Sequence, residues 1–322
     1  LRIPGDGQLQ RLQDDFTRHR GVEPRVMPFT AARYARSTGI DAPEIAAGPF
    51  QSSDWIVLRR VGAPVVAATA GVAAARALRA ALMRHADQPV AQLLSGHEAD
   101  GAPARALHLA VVPLPHVGER HADGRLMGIA LVFPRAANVD ERRAVIRAIS
   151  RWESAARSET GDDAETPVLT LGFGRGIEMK FERVAWGEPD RASLRDTTWC
   201  RPAKEWVSVT PVALDRNPGR LDSRDAAVAG RARMAACATI EAACERAGLP
   251  APEAIAVGAA PHIAGSRPAS AYGPFPAGEG RTRRVLVHVR LRFPMPVVGP
   301  LLLGAGRFHG LGLMRPVREG DA

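Results

Sequence analysis

The sequence predicts an α+β fold: tandem ferredoxin-like (RRM-like) units with antiparallel sheets, followed by a C-terminal glycine-rich loop. Three observations predict it. Blocks reading strand–helix–strand–strand occur twice along the chain. Each block contains one long amphipathic or alanine-rich helix between short apolar runs of strand length. The chain then ends in Gly304-Ala-Gly306-Arg307-Phe308-His309-Gly310-Leu-Gly312, directly after an apolar run.

Taken in order, residues 1–60 mix charge with few periodic apolar positions. Residues 64–86 read as a helix, alanine-rich with Leu78, Leu82 and Met83 on one side. Residues 87–106 carry turn formers and the triplet Ser95-Gly96-His97, and read as a boundary. Residues 107–114 are an apolar strand ending at prolines, 115–125 a polar loop, and 126–133 a second strand. Asn138 can cap the next helix with Glu141 three residues on. Val145, Ile146, Ile149 and Trp152 give that helix one apolar stripe. Residues 168–172 and 177–184 are strands joined by Gly-Phe-Gly-Arg-Gly, a hairpin signal.

The second block follows with a strand over 206–214 and a long helix over 224–246, closed by Gly248. Strands at 254–263 and 284–293 come next. Between them, residues 264–283 form a long basic loop with Arg267, Arg281 and Arg283, and Arg284 follows; loops of this length are often functional. These signals divide the chain into residues 1–94, a first unit at 95–190 and a second at 191–322.

Composition narrows the function. The chain has 322 residues, 46% of them hydrophobic, enough for a sizeable core and two or three domains. It holds 43 Lys+Arg against 34 Asp+Glu, and the only lysines are Lys180 and Lys204. Arginine forks suit phosphates and stack on bases, yet a GC-rich genome also favours arginine, so charge alone leaves nucleic-acid binding open. Cys200, Cys237 and Cys244 form no CxxC pair and read as buried small residues; a reducing, cytoplasmic compartment is expected. No apolar run is long enough to span a membrane.

The glycine-rich end suits close backbone approach to an anion. It is no dinucleotide fingerprint, because His309 stands where the third glycine belongs, and no P-loop, because Gly-Lys-Ser/Thr is missing. His97, His108, His116 and His121 fit no zinc pattern, and no Gly-x-Ser-x-Gly elbow exists. Neither a metal nor a cofactor is expected.

Several separated motifs carry a resemblance: Ser95-Gly96-His97; His108-Leu-Ala with Pro113-Leu-Pro115, Val117-Gly118 and His121-Ala-Asp123-Gly124; Trp206-Val-Ser-Val-Thr210-Pro211 with Leu214-Asp215-Arg216; and His288-Val-Arg-Leu-Arg-Phe293 with the glycine loop. Over residues 90–316 the chain resembles the fused Cas-five/Cas-six subunit of the type I-G (formerly I-U) CRISPR system, in the RAMP superfamily. Residues 1–94 then correspond to a remnant of a longer Cas-five-like region and a linker.

The resemblance implies metal-independent cutting of CRISPR repeat RNA by 2′-hydroxyl attack, leaving a cyclic phosphate and a 5′-hydroxyl. Histidine suits the acid or base role because its ordinary pKa is about 6.5. His121 is the first candidate, since it sits in the loop after the first strand of the first unit; His97 and His108 follow. Asp123 can orient an imidazole or hold a turn. His116 reads as solvated and His288 as packed. The resemblance further implies that Gly304, Gly306, Gly310 and Gly312 bring the loop to RNA, with Arg307 on phosphate and Phe308 either stacked on a base or buried as a wedge. Arg216 is a second phosphate contact, and Arg267 of the basic loop a third; Arg315 can equally pair with an acid. Implied partners are the repeat-derived handle of CRISPR RNA, the backbone and large subunits of a Cascade complex, and target DNA only through that complex. A non-catalytic, architectural RNA-binding subunit is the alternative. An ordinary RRM reader is disfavoured by the lack of an RNP1-type aromatic motif.

Overall fold

The computed structural model describes residues 2–3, 8–18, 30–31, 51–98, 100–104, 106–160, 166–173, 176–184, 191–276 and 282–317. The chain divides into a unit at Leu1–Pro43 and a unit at Glu44–Ala322. In the first, β1 (Arg2–Ile3) pairs antiparallel with β2 (Thr30–Ala31), and α1 (Gln8–Arg18) lies between them in sequence. Expected Arg281 lies outside the described residues.

The larger unit contains two antiparallel sheets. The first runs β4-β5-β3-β7-β6, from β3 (Gln51–Val61), β4 (Ala110–Pro115), β5 (Leu126–Pro134), β6 (Leu169–Gly172) and β7 (Glu178–Arg183). The helices α2 (Gly71–His85) and α4 (Val139–Thr160) bury Leu78, Leu82, Val145, Ile149 and Trp152 in one core with Leu58, Leu131 and Phe181. With β3 first, the order is second-third-first-fourth, the ferredoxin-like arrangement, with β6 added at the edge.

The second sheet runs β10-β11-β8-β12, from β8 (Ala203–Ser208), β10 (Ala254–Gly258), β11 (Leu286–Val297) and β12 (Met314–Pro316). Short β9 (Val212–Ala213) also pairs with β11. Here α6 (Ala226–Arg246) packs Ala236, Ile240 and Cys244 against Trp206, Val289 and Leu291. The strand order is the same as in the first sheet. Where that sheet has α4 between its third and fourth strands, the second has the glycine-rich segment between β11 and β12.

The expected boundary at residue 95 falls inside the span of the first sheet, because its central strand is β3. This strand is covered in part from both sides: buried Leu58 and partly buried Ile56 pack with the helices, while partly buried Trp55 and Val57 pack against a second core. Strand β4 is buried throughout for the same reason. That second core sets Ala110, Val112, Leu114 and Val132 against Trp199, Val209, Leu302, Phe308 and Leu313. Trp199 comes from the short helix α5 (Thr197–Cys200), and a further short helix α3 (Gln92–Ser95) ends at Gly96. The face of the first sheet away from its helices therefore packs on α5 and on loops adjoining the second sheet through an apolar seam.

Two expected strands are shorter. The run at 206–214 breaks before Pro211 into β8 and β9, since proline offers no ladder donor. The run at 254–263 stops at Gly258, which leaves Pro261 and His262 in a loop. Among the described residues, no helix is long and apolar enough to cross a membrane.

Candidate functional site

The glycine loop forms the inter-sheet seam. Gly304, Gly306, Gly310 and Gly312 are all buried. A methyl group on Gly310 would come within 3.0 Å of the Gly71 carbonyl, and one on Gly312 would overlap the Leu303 carbonyl. These glycines are needed for close packing of the loop on β4, α2 and its own stem. Phe308 is only 8% exposed. Of the two readings for this ring, the structure therefore has the buried wedge, and a base has no access to it.

The wedge sits in a nest of cationic and imidazole groups. His108 packs on Phe308 with ring centroids 3.9 Å apart, and the Arg307 guanidinium lies 4.4 Å from the Phe308 ring on its own side. Arg79, 8% exposed, donates to the carbonyls of Leu94 at 2.7 Å, Leu109 at 2.6 Å and Phe308 at 3.2 Å. Burial lowers the Arg79 pKa to about 10. Burial, then Arg79 and His309, push His108 down to about 3, with a backbone contact at Ala106 opposing. His309 is pushed to about 4 by burial, Arg79, Arg76 and His97. Both imidazoles are therefore neutral near pH 7. His108 Nδ1 is buried without a hydrogen bond of normal geometry. His97 is exposed at the rim, its Nδ1 3.0 Å from the Ser95 carbonyl. The structure thus brings His97 and His108 to the glycine loop.

Arg307 is partly buried, and its Nη1 donates to the Gly304 carbonyl at 3.2 Å. Burial lowers its pKa, while Asp215 opposes and Arg246 adds to the shift. Asp215 pairs with Arg246 and bounds two adjoining grooves. Exposed Arg216, with Arg246, lines one of about 340 Å³; Arg283 and Arg284 line the other, of about 240 Å³.

His121 lies elsewhere, on the connection between β4 and β5. It is exposed, at φ 64°, the one non-glycine residue with positive φ among the described residues. Such a backbone costs about 1 kcal/mol or more for an L residue and persists only when its surroundings impose it. The surroundings here are specific. Gly118 N–H donates to the Ala264 carbonyl at 2.9 Å, and Gly124 N–H to the His116 carbonyl at 3.0 Å. Arg315, 1% exposed, donates to the Val117 carbonyl and to Glu119 Oε1, the latter at 2.7 Å. Asp123 holds the turn through the Arg125 N–H at 3.1 Å, and its carboxylate meets His116 Nδ1 at 3.3 Å. Its imidazole partner is therefore His116. Arg267 reaches this connection too, 3.5 Å from the Asp123 carbonyl, so it stands with His121 rather than with the glycine loop.

A cleft of about 630 Å³ opens between this connection, at residues 118–120, and the second sheet. Arg120 and Glu119 line it from the β4–β5 connection; His262, Ile263, Arg290 and Val207 line it from the second sheet and its loops. Burial, then Arg290, lower the His262 pKa. Arg290 also donates to Glu205 at 2.7 Å. Sequence reading missed His262 because it sat inside an expected strand; the Pro261 before it was the available signal. It missed Arg79 because the alanine-rich helix gave that residue no distinguishing context.

His288 is fully buried, its Nδ1 2.9 Å from Ser208 Oγ and its Nε2 2.9 Å from the Arg267 carbonyl, a packed role as expected. The three cysteines are free thiols, and burial raises the pKa of each. Among the described residues, no cluster of three or more His, Cys, Asp or Glu is placed to hold a metal ion.

No curated protein and no solved structure matches this chain. A protein-family model does match, over residues 1–316, described as CRISPR-associated protein, GSU0054 family. The match spans both sheets, the seam and the cleft, and the chain belongs to the CRISPR-associated GSU0054 family.

Proposed function

We propose that this chain binds the repeat-derived handle of CRISPR RNA, cuts the precursor by metal-independent 2′-hydroxyl attack, and stays in a Cascade-type complex with backbone and large subunits. The observation that carries the cutting step is His121: an exposed imidazole at positive φ on an anchored connection, whose preceding residues Glu119 and Arg120 line a cleft with Arg290. In the reaction the 2′-oxygen attacks phosphorus and the P–O5′ bond breaks. One proton leaves the 2′-hydroxyl and one arrives on O5′, giving a 2′,3′-cyclic phosphate and a 5′-hydroxyl. Arg120 and Arg290 supply the positive charge that the phosphorane requires.

His108 and His309 are poor candidates for proton transfer near pH 7, since both are partly buried and their pKa values of about 3 and about 4 lie far below the working range. The test is incubation of the protein with its repeat RNA in EDTA. Cleavage with a cyclic phosphate terminus supports the reading; intact RNA overturns it. His121→Ala should lower the cleavage rate by about 100-fold or more while RNA binding survives.

The architectural reading has its own support in the grooves around Asp215, whose Arg216, Arg246, Arg283 and Arg284 need no histidine to hold a backbone. Tight binding without cutting by the wild type selects it. In either case Arg216→Ala should reduce the salt dependence of binding by about 0.7 in log K against log salt, one single-strand phosphate contact.

A further inference from the structure

The cleft lined by Arg120, the residue before His121, contains an imidazole that the sequence did not single out, that of His262. We infer that His262 is the general base of the cut, taking the 2′-hydroxyl proton in this cleft while His121 gives a proton to O5′. The inference rests on the cleavage reading above.

Placement is the first argument. Arg120, directly before His121, lines the cleft from the β4–β5 connection, and His262 lines it from the loop after β10. A substrate seated there meets Arg120 and His262. A volume of about 630 Å³ is within the range that takes a nucleotide-sized ligand. Its wall divides by chemistry: Val207, Ile263 and Val317 offer an apolar surface to a base, while Arg120 and Arg290 offer charge to a phosphate.

The loop bearing His262 is fixed at several points. Ala269 N–H donates to the Ala259 carbonyl at 2.9 Å, Ser266 Oγ–H to the Val209 carbonyl at 2.6 Å, and the Ala264 carbonyl receives Gly118 N–H. A base held in this way needs little reorganisation to reach its proton.

The charged groups around it define its protonation. Arg290 comes from β11, Arg120 and Glu119 from the connection, and Glu205 from β8. The two carboxylates are engaged, Glu119 by Arg315 and Glu205 by Arg290. The cationic neighbour and burial together favour the neutral imidazole, the form that accepts a proton.

The experiment measures single-turnover cleavage of repeat RNA in EDTA by wild type, His262→Ala, His262→Gln and His121→Ala. Each substrate is made twice, once with oxygen and once with sulfur at the bridging 5′ position. Sulfur leaves without protonation, so it relieves the need for an acid and not for a base. The expected result is a loss of about 100-fold or more in both His262 variants, with RNA affinity within about threefold of wild type. Sulfur restores His121→Ala and leaves His262→Ala slow. The acid limb of the wild-type pH–rate profile disappears in His262→Gln. If wild type cuts and His262→Ala cuts equally fast, or if sulfur restores His262→Ala, the role given to His262 is overturned and the cleavage reading stands. If wild type leaves the RNA intact, the cleavage reading itself is overturned.

Discussion

Arg79 of α2 donates a hydrogen bond to the Phe308 carbonyl of the glycine loop at 3.2 Å, across 229 residues of sequence. The same guanidinium holds the carbonyls of Leu94 and Leu109. A nearly buried cation thus satisfies three acceptors from three segments and ties the two sheets at the seam. Arg79→Met keeps most of the bulk and removes every donor. Both Arg79→Met and Arg79→Ala should cost about 3 kcal/mol or more, because the carbonyls lose their partners. The expected fall in melting temperature is about 4–5 °C, read by calorimetry. A change under about 2 °C would show that the seam does not depend on this residue.

The same seam makes stability depend on pH. His108 and His309 have folded pKa values of about 3 and about 4, below the unfolded value of about 6.5. Between those limits the unfolded chain binds more protons than the folded one, so stability rises with pH. It is fully present above the unfolded pKa and is lost as pH falls from about 6.5 toward 4. From pH 7 to pH 5 each of the two should cost about 2 kcal/mol, about 4 for the pair, seen in denaturant unfolding at the two pH values. His108→Phe should lessen the difference, since one of the two titrating groups is gone.

Glycine at two positions separates strain from packing. Gly62 has φ 63° and open space around it, whereas Gly312 has φ 72° and no room for a methyl group. Gly62→Ala should cost about 1 kcal/mol, the backbone cost alone. Gly312→Ala carries that cost together with overlap on the Leu303 carbonyl, and should cost about 3 kcal/mol or more. Equal losses in urea unfolding would contradict this account of the glycine loop.

His121 should show opposite effects on stability and rate. His121→Gly relieves the positive φ and should raise stability by about 1 kcal/mol. It should also remove cleavage as thoroughly as His121→Ala. Unfolding and cleavage measured on one preparation test both. A variant that gains stability and keeps full cleavage would take His121 out of the chemistry.

The helices were the most legible elements. Asn138 Oδ1 accepts from the Asp140 and Glu141 N–H groups at 3.0 and 2.9 Å, and Glu141 answers by accepting from Asn138 N–H at 2.8 Å. That capping box is written within four residues, so a local reading finds it. Strand β3 was not legible. Gln51, Asp54, Arg59 and Arg60 interrupt its apolar pattern, and its identity as the central strand comes from partners more than seventy residues away. Phe308 was open between stacking and packing, because only its neighbour His108, two hundred residues upstream, decides between them.

The sequence by itself determined the α+β class, the capped and amphipathic helices, the glycine loop's position and the wealth of arginine. Each of these rests on local propensity, periodicity or composition. Tertiary structure alone decided which histidines share a site. It set His97 and His108 against the glycine loop, partly buried and neutral in the case of His108, and set Arg120, on the connection that carries His121, at one cleft with His262 and Arg290. The reason is physical. Burial, proton affinity and the grouping of side chains depend on which faces of distant strands meet, and a linear chain carries those contacts only implicitly.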